Sequence, residues 1–122
     1  MACCTRYCAA EGQFGRKVAE RDLRRYRRRG AEGTARIMLA ELRQWPLQGK
    51  QLLDVGGGIG VVSAELASDG LGSATLVEAS PSYLEVAREE IELRYAPRPT
   101  RFLLGDFALI AGDQPEFLFQ GE

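Results

Sequence analysis

The sequence predicts an α/β fold in which two N-terminal helices precede a parallel sheet. Three observations point there. From Lys50 onward, short apolar runs alternate with helix-period segments in the order β-α-β-α-β, the pattern of a parallel sheet with right-handed crossovers. The first apolar run ends in a cluster of glycines, which marks a strand–turn–helix junction. The charge also divides at this boundary. Residues 1–49 carry eleven Arg or Lys against five Asp or Glu, and residues 50–122 carry five against twelve, although the net charge is −1. The chain therefore reads as a Cys-containing tail with a basic helical leader over 1–49 and a partial α/β domain over 50–122. With 122 residues, 45% of them hydrophobic and 27% charged, it has the material of one ordinary globular domain. That excludes a disordered tail or a collagen-like repeat. No apolar run approaches the roughly 20 residues of a membrane span, so no membrane association is expected.

Each element has its own signal. The N-terminus carries Cys3, Cys4 and Cys8 but no apolar signal-peptide core, which predicts a reducing, cytoplasmic setting. Zinc usually takes four ligands, and the sequence contains no His, so no metal site is expected. A helix is expected over 16–29, where Ala19, Leu23 and Tyr26 form one narrow apolar stripe and most other positions are charged. Glu20 is expected to pair with Arg24, and Gly30 to end the helix. A second helix fits 33–45, with Ala35, Met38, Leu39, Leu42 and Trp45 on a broader apolar face and Pro46 as its stop. Residues 51–55 read as a buried parallel strand. A helix follows over 59–68, then a strand over 73–78. Ser80-Pro81 is a strong helix start, because serine caps free N–H groups and proline at the first position needs no N–H partner. That helix runs to about Tyr95, with Tyr83, Leu84, Ala87, Ile91, Arg94 and Tyr95 on one face, and Pro97 and Pro99 end it. A third strand is expected over 100–104. Beyond it, Phe117-Leu118-Phe119 is too short to read as a fourth strand. The first strand should then lie at a sheet edge, which predicts self-association or a partner chain covering it and a poorly stable isolated monomer.

The chemistry sits at the carboxyl ends of the strands. Leu52-Leu53-Asp54-Val55-Gly56-Gly57-Gly58-Ile59-Gly60 brings bare main chain to the place where open α/β sheets bind ligands. It is not the dinucleotide pattern G-x-G-x-x-G, because Val61 stands where the last glycine belongs. It is not a phosphate loop either, because no Gly-Lys-Ser/Thr follows. The second strand ends in Glu78, followed by Ala79, and a carboxylate there can accept both hydroxyls of a ribose. Asp106 and Phe107 follow the third strand, where they could meet a base. The ligand so described has a ribose and a base but makes no demand for phosphate recognition.

This constellation resembles the class I S-adenosylmethionine (SAM)-dependent methyltransferases over roughly residues 50–107. That family carries a D/E-x-G-x-G-x-G motif on its first strand, matched by Asp54, Gly56, Gly58 and Gly60. The resemblance implies a Rossmann-like sheet, here the first three strands of a seven-stranded fold. It also implies S-adenosyl-L-methionine as cofactor, held by Asp54, Gly56, Gly57, Gly58, Gly60, Glu78, Ala79, Asp106 and Phe107. Asp54 either orients the loop or touches the ligand, and Phe107 is either core or an adenine contact. The implied activity is methyl transfer to an unidentified acceptor, with the chain forming the cofactor-binding part. No catalytic residue is nominated. The Arg24–Arg29 cluster could steer an anionic acceptor. Three alternatives remain open. One is a non-catalytic fragment. Another is a nucleic-acid-binding module using the basic helix, opposed by the acidic second half. The third is an NAD(P)-dependent oxidoreductase, opposed by Val61.

Overall fold

A computed structural model describes residues 12–95 and 100–113. Its elements are α1 (Arg16–Arg29), α2 (Gly33–Leu42), β1 (Gln51–Val55), α3 (Val61–Ala67), β2 (Ser73–Glu78), α4 (Pro81–Tyr95), β3 (Thr100–Leu104) and α5 (Phe107–Asp113). All the expected helices and strands are present. Two helix ends differ. The last turn of α2 tightens, with Gln44 N–H bonding to the Glu41 carbonyl and Trp45 N–H to the Leu42 carbonyl, so the α-helix stops at Leu42. α3 starts at Val61 because Gly60 is left-handed (φ 82°) and caps it. Cys3, Cys4, Cys8 and the segment 117–119 lie outside the described residues.

The sheet order is β1-β2-β3, all parallel. Asp54 pairs with Leu76, and Glu78 with Leu104. Among the described residues β1 has a neighbour on one side only, the edge position expected from the sequence. Two right-handed crossovers running in the same direction place α3 and α4 on one face of the sheet. There Leu52 and Ala74 meet Val62, Leu66 and Leu71, with Leu39 of α2 against them. Leu76 and Phe102 meet Leu84 and Ala87 of α4.

The leader docks onto this helical layer. Ala19, Leu23 and Tyr26 are buried against Tyr83, Val86 and Ile59, as their stripe predicts. The charge asymmetry has a direct structural use. Arg16 reaches Glu85 and Glu89 on α4 (3.5 and 3.3 Å), and Arg27 reaches Glu90 (2.7 Å). Basic leader and acidic α4 are complementary surfaces. Glu20 pairs with Arg16 (2.7 Å) rather than with Arg24, because Arg16 lies on the side that faces α4. The broad apolar face expected over 33–45 is used in part, with Ala35, Leu39 and Leu42 packed against α3 and the sheet. Leu39 is buried, but Met38 is exposed and Trp45 is 70% exposed, since the helix ends before Trp45 and the chain turns away. Glu90 is the reverse case: it sits within the packed side of α4 at 1% exposure.

Candidate functional site

The carboxyl end of β1 passes into the glycine loop through a bond from Gly56 N–H to the Val77 carbonyl (2.8 Å). Gly56 and Gly58 are both left-handed (φ 67° and 58°), so they turn the chain at little steric cost. A Cβ added at Gly56 would meet nothing within 4 Å, so its main chain is open to the solvent side. Gly57 does a different job. A Cβ there would lie 2.3 Å from Leu76 Cδ1 and 2.6 Å from Asp54 Oδ2, so the loop can settle on the sheet only because that atom is absent. Gly60 packs as well, facing Ala87 and Ile91 of α4.

Asp54 is buried beneath this loop. Ser63 donates its hydroxyl to Asp54 Oδ2 at 3.5 Å. Burial pushes the Asp54 carboxyl up to about 6; the Ser63 bond opposes the rise and the Glu78 charge adds to it. Asp54 thus lies against Gly57 of the loop and also borders the cleft described below. Glu78 binds the loop directly. Its Oε2 accepts from Gly58 N–H (2.9 Å) and its Oε1 from Ser80 N–H (3.1 Å). Ala79, between them, is partly exposed. Ser80 caps α4 as expected, accepting from Tyr83 N–H (3.2 Å), and it donates to the Phe14 carbonyl (2.6 Å).

Asp106 lies at the end of β3, which is tied to β2 by Gly105 N–H bonding to the Glu78 carbonyl (3.0 Å). Asp106 Oδ1 accepts from Ala108 N–H (2.9 Å) and so caps α5. Phe107 opens α5 and is half-buried. The loop, Glu78 and Asp106 therefore stand in a row along one edge of the sheet. Adjacent strands are about 4.8 Å apart, so this row spans about 10 Å, the scale of a nucleoside.

A cleft of about 380 Å³ opens between the loop and the leader. Asp54, Gly56, Gly57 and Gly58 line it; Gly60, Glu78, Ala79, Asp106 and Phe107 do not. Sequence reasoning missed its other wall, where Asp22, Arg25 and Tyr26 of α1 and Tyr83 of α4 stand. The Tyr83 hydroxyl donates to Asp22, and burial together with that carboxylate holds the phenol well above its usual range, so it stays a proton donor. Arg25 is held by Glu32 (2.8 Å), and the Tyr26 hydroxyl donates to Glu65 (3.1 Å). The stripe Ala19, Leu23, Tyr26 was the available signal, because a helix docked on that stripe turns Asp22 and Arg25 toward the loop. Among the described residues no group of three or more His, Cys, Asp or Glu could hold a metal ion. No helix there is long and apolar enough to cross a membrane.

No protein-family model matches the sequence, and no curated protein matches it. Solved structures do match. Magnesium protoporphyrin IX methyltransferase from Synechocystis, with bound SAH, is 21% identical, with 84% of this chain and 52% of that one covered at a TM-score of 0.63. A TehB-like SAM-dependent methyltransferase from Corynebacterium glutamicum is 20% identical, with 76% and 47% covered at a TM-score of 0.54. A SAM-dependent methyltransferase from Thiobacillus denitrificans, in complex with S-adenosyl-L-homocysteine, is 29% identical, with 61% and 29% covered at a TM-score of 0.50. The fold is that of the class I SAM-dependent methyltransferases. The chain spans about half, or less, of the length of these three structures.

Proposed function

We propose that this chain binds S-adenosyl-L-methionine at the glycine loop and forms the cofactor-binding part of a methyltransferase. The observation that carries the reading is the bond from Gly58 N–H to Glu78, which joins the glycine loop and the strand-end acid in one rigid unit. The residues fit the cofactor. The cleft falls within the usual ligand range of about 300–1,000 Å³. A carboxylate offers about four acceptor positions, and Glu78 uses two of them on the loop and on Ser80, leaving capacity for ribose hydroxyls. Asp106 and Phe107, outside the cleft at the end of the third strand, are the residues proposed to meet the base.

The cofactor, when bound, supplies a methyl group on a positively charged sulfonium. The chain's own part is position and field. Asp22 and Asp54 border the cleft, and their carboxyl groups favour a cation there. Tyr83, kept protonated, fixes Asp22, and α1 and α2 supply one wall of the cleft. Such a site works by positioning, which needs no nucleophile of its own. The open edge of β1 is read as a surface that another polypeptide covers. A cytoplasmic setting is part of the same proposal, because a reducing compartment suits a chain whose cysteines cluster at one end.

Calorimetric titration with S-adenosylhomocysteine, with NADH as control, tests the reading. Micromolar binding to the first alone is the expected result. Binding to NADH alone, or to neither by a folded chain, overturns it.

A further inference from the structure

The cations of α1 sort into two sets. Arg16, Arg25, Arg27 and Arg29 are each engaged by a glutamate: Glu20, Glu85 and Glu89 for Arg16, Glu32 for Arg25 and Arg29, and Glu90 for Arg27. Lys17, Arg21, Arg24 and Arg28 are different. They follow one another at i, i+4, i+7 and i+11, so they lie on one line along the helix. All four are exposed. Among the described residues, Lys17, Arg24 and Arg28 have no carboxylate in ion-pairing range, and Arg21 touches only its neighbour Asp22, at 3.5 Å. The buried stripe Ala19, Leu23, Tyr26 is on the opposite side of the helix, so docking fixes this row outward. Eleven residue steps at 1.5 Å make the row about 16 Å long.

We infer that this row is a docking surface for the phosphodiester backbone of a single-stranded nucleic acid. Lys17, Arg24 and Arg28, with Arg21 held only by its exposed neighbour Asp22, stand in single file and match one backbone, and Arg and Lys are the usual partners of its phosphates. A membrane surface fits less well. An interfacial helix inserts its apolar face, and the apolar face of α1 is already buried against α4. None of the exposed large apolar side chains of the described residues lies on α1. The acidic half of the chain does not cancel the row, because the glutamates nearest to α1 are occupied by its other arginines. The inference does not rest on cofactor binding.

Fluorescence anisotropy of the full chain with a labelled single-stranded RNA of about 12 nucleotides tests it. Three or four phosphate contacts predict that log affinity falls with log salt at a slope of about −2 to −3. The pair Arg24→Glu and Arg28→Glu is expected to weaken binding about tenfold or more, with circular dichroism confirming the fold. The milder pair Arg24→Gln and Arg28→Gln is expected to flatten the slope by about one unit, and it gives a reading if the charge reversal unfolds the protein. Arg36→Glu removes an exposed cation of α2 away from the row and should leave affinity within about twofold. No binding at low salt, an equal loss with Arg36→Glu, a preference for duplex, or binding to phosphatidylserine vesicles without binding to RNA would each overturn the inference.

Discussion

Glu78 holds the glycine loop through Gly58 and the start of α4 through Ser80, so its carboxylate is placed before any ligand arrives. Glu78→Ala is expected to weaken S-adenosylhomocysteine binding by about 1.5–3 kcal/mol, the worth of a charged acceptor. Calorimetry reads this directly, and an unchanged affinity would remove the ribose role. Asp54 carries a pH signature. Its carboxyl is raised from 3.8 to about 6, chiefly by burial, so the folded protein keeps a proton that the unfolded chain has already lost. Stability from this group is therefore fully present below about pH 4, falls as pH rises to about 6, and is flat above that. The span is on the order of 2–3 kcal/mol. Urea unfolding at several pH values should show the fall, and Asp54→Asn should abolish it. The positions of both acids at strand ends were legible in the sequence, because short apolar runs that close on a glycine turn or, at Ser80-Pro81, on a helix start mark those ends. Asp22 and Arg25 were not. On a helix with this many charges, position along the chain does not say which ones face a cleft.

At the scale of elements, the docking of α1 on α4 shapes the site. An apolar stripe of three residues supplies the contact, and ion pairs between opposite charges fix its register. Arg27 meets Glu90, whose side chain is almost wholly buried while that of Arg27 is 47% exposed. Arg27→Ala removes the 2.7 Å ion pair to this acid and is expected to cost about 1–2 kcal/mol, less than a fully buried pair because Arg27 is partly solvated. The same change should loosen the cleft wall that α1 supplies. A lower urea midpoint together with weaker S-adenosylhomocysteine binding would show both effects. A change in neither would mean that the apolar stripe alone holds the helix. The periodicity of α1 predicted its buried face correctly. That of α2 was right for Ala35, Leu39 and Leu42, but Met38 stays exposed at the cleft and Trp45 lies beyond the end of the helix.

At the scale of the molecule, β1 is the exposed feature. Among the described residues it runs along a sheet edge, and Val55 at its end is 48% exposed. Unpaired edge groups recruit other strands, so concentration-dependent self-association is expected. Sedimentation should show a rising mass with concentration, and Val55→Lys, which places a charge on the edge, should suppress it. A single monomer boundary at every concentration would show that the edge is tolerated as it stands. Trp45, exposed and the sole tryptophan, gives an independent optical probe of any surface that becomes covered.

The sequence by itself determined the strand–helix alternation, the parallel sheet, the glycine turn and the acids at the strand ends. These follow from local rules: hydrophobic period, turn chemistry, and the restricted conformations of glycine and proline. The tertiary structure alone decided which glycines pack and which stay open, which leader charges face α4, the cleft or solvent, and that Asp54 lies beneath the loop. Those outcomes depend on the direction in which one element meets another. A helix rotated by one residue turns each side chain by about 100°, and no local rule constrains that rotation until the partner surface is in place.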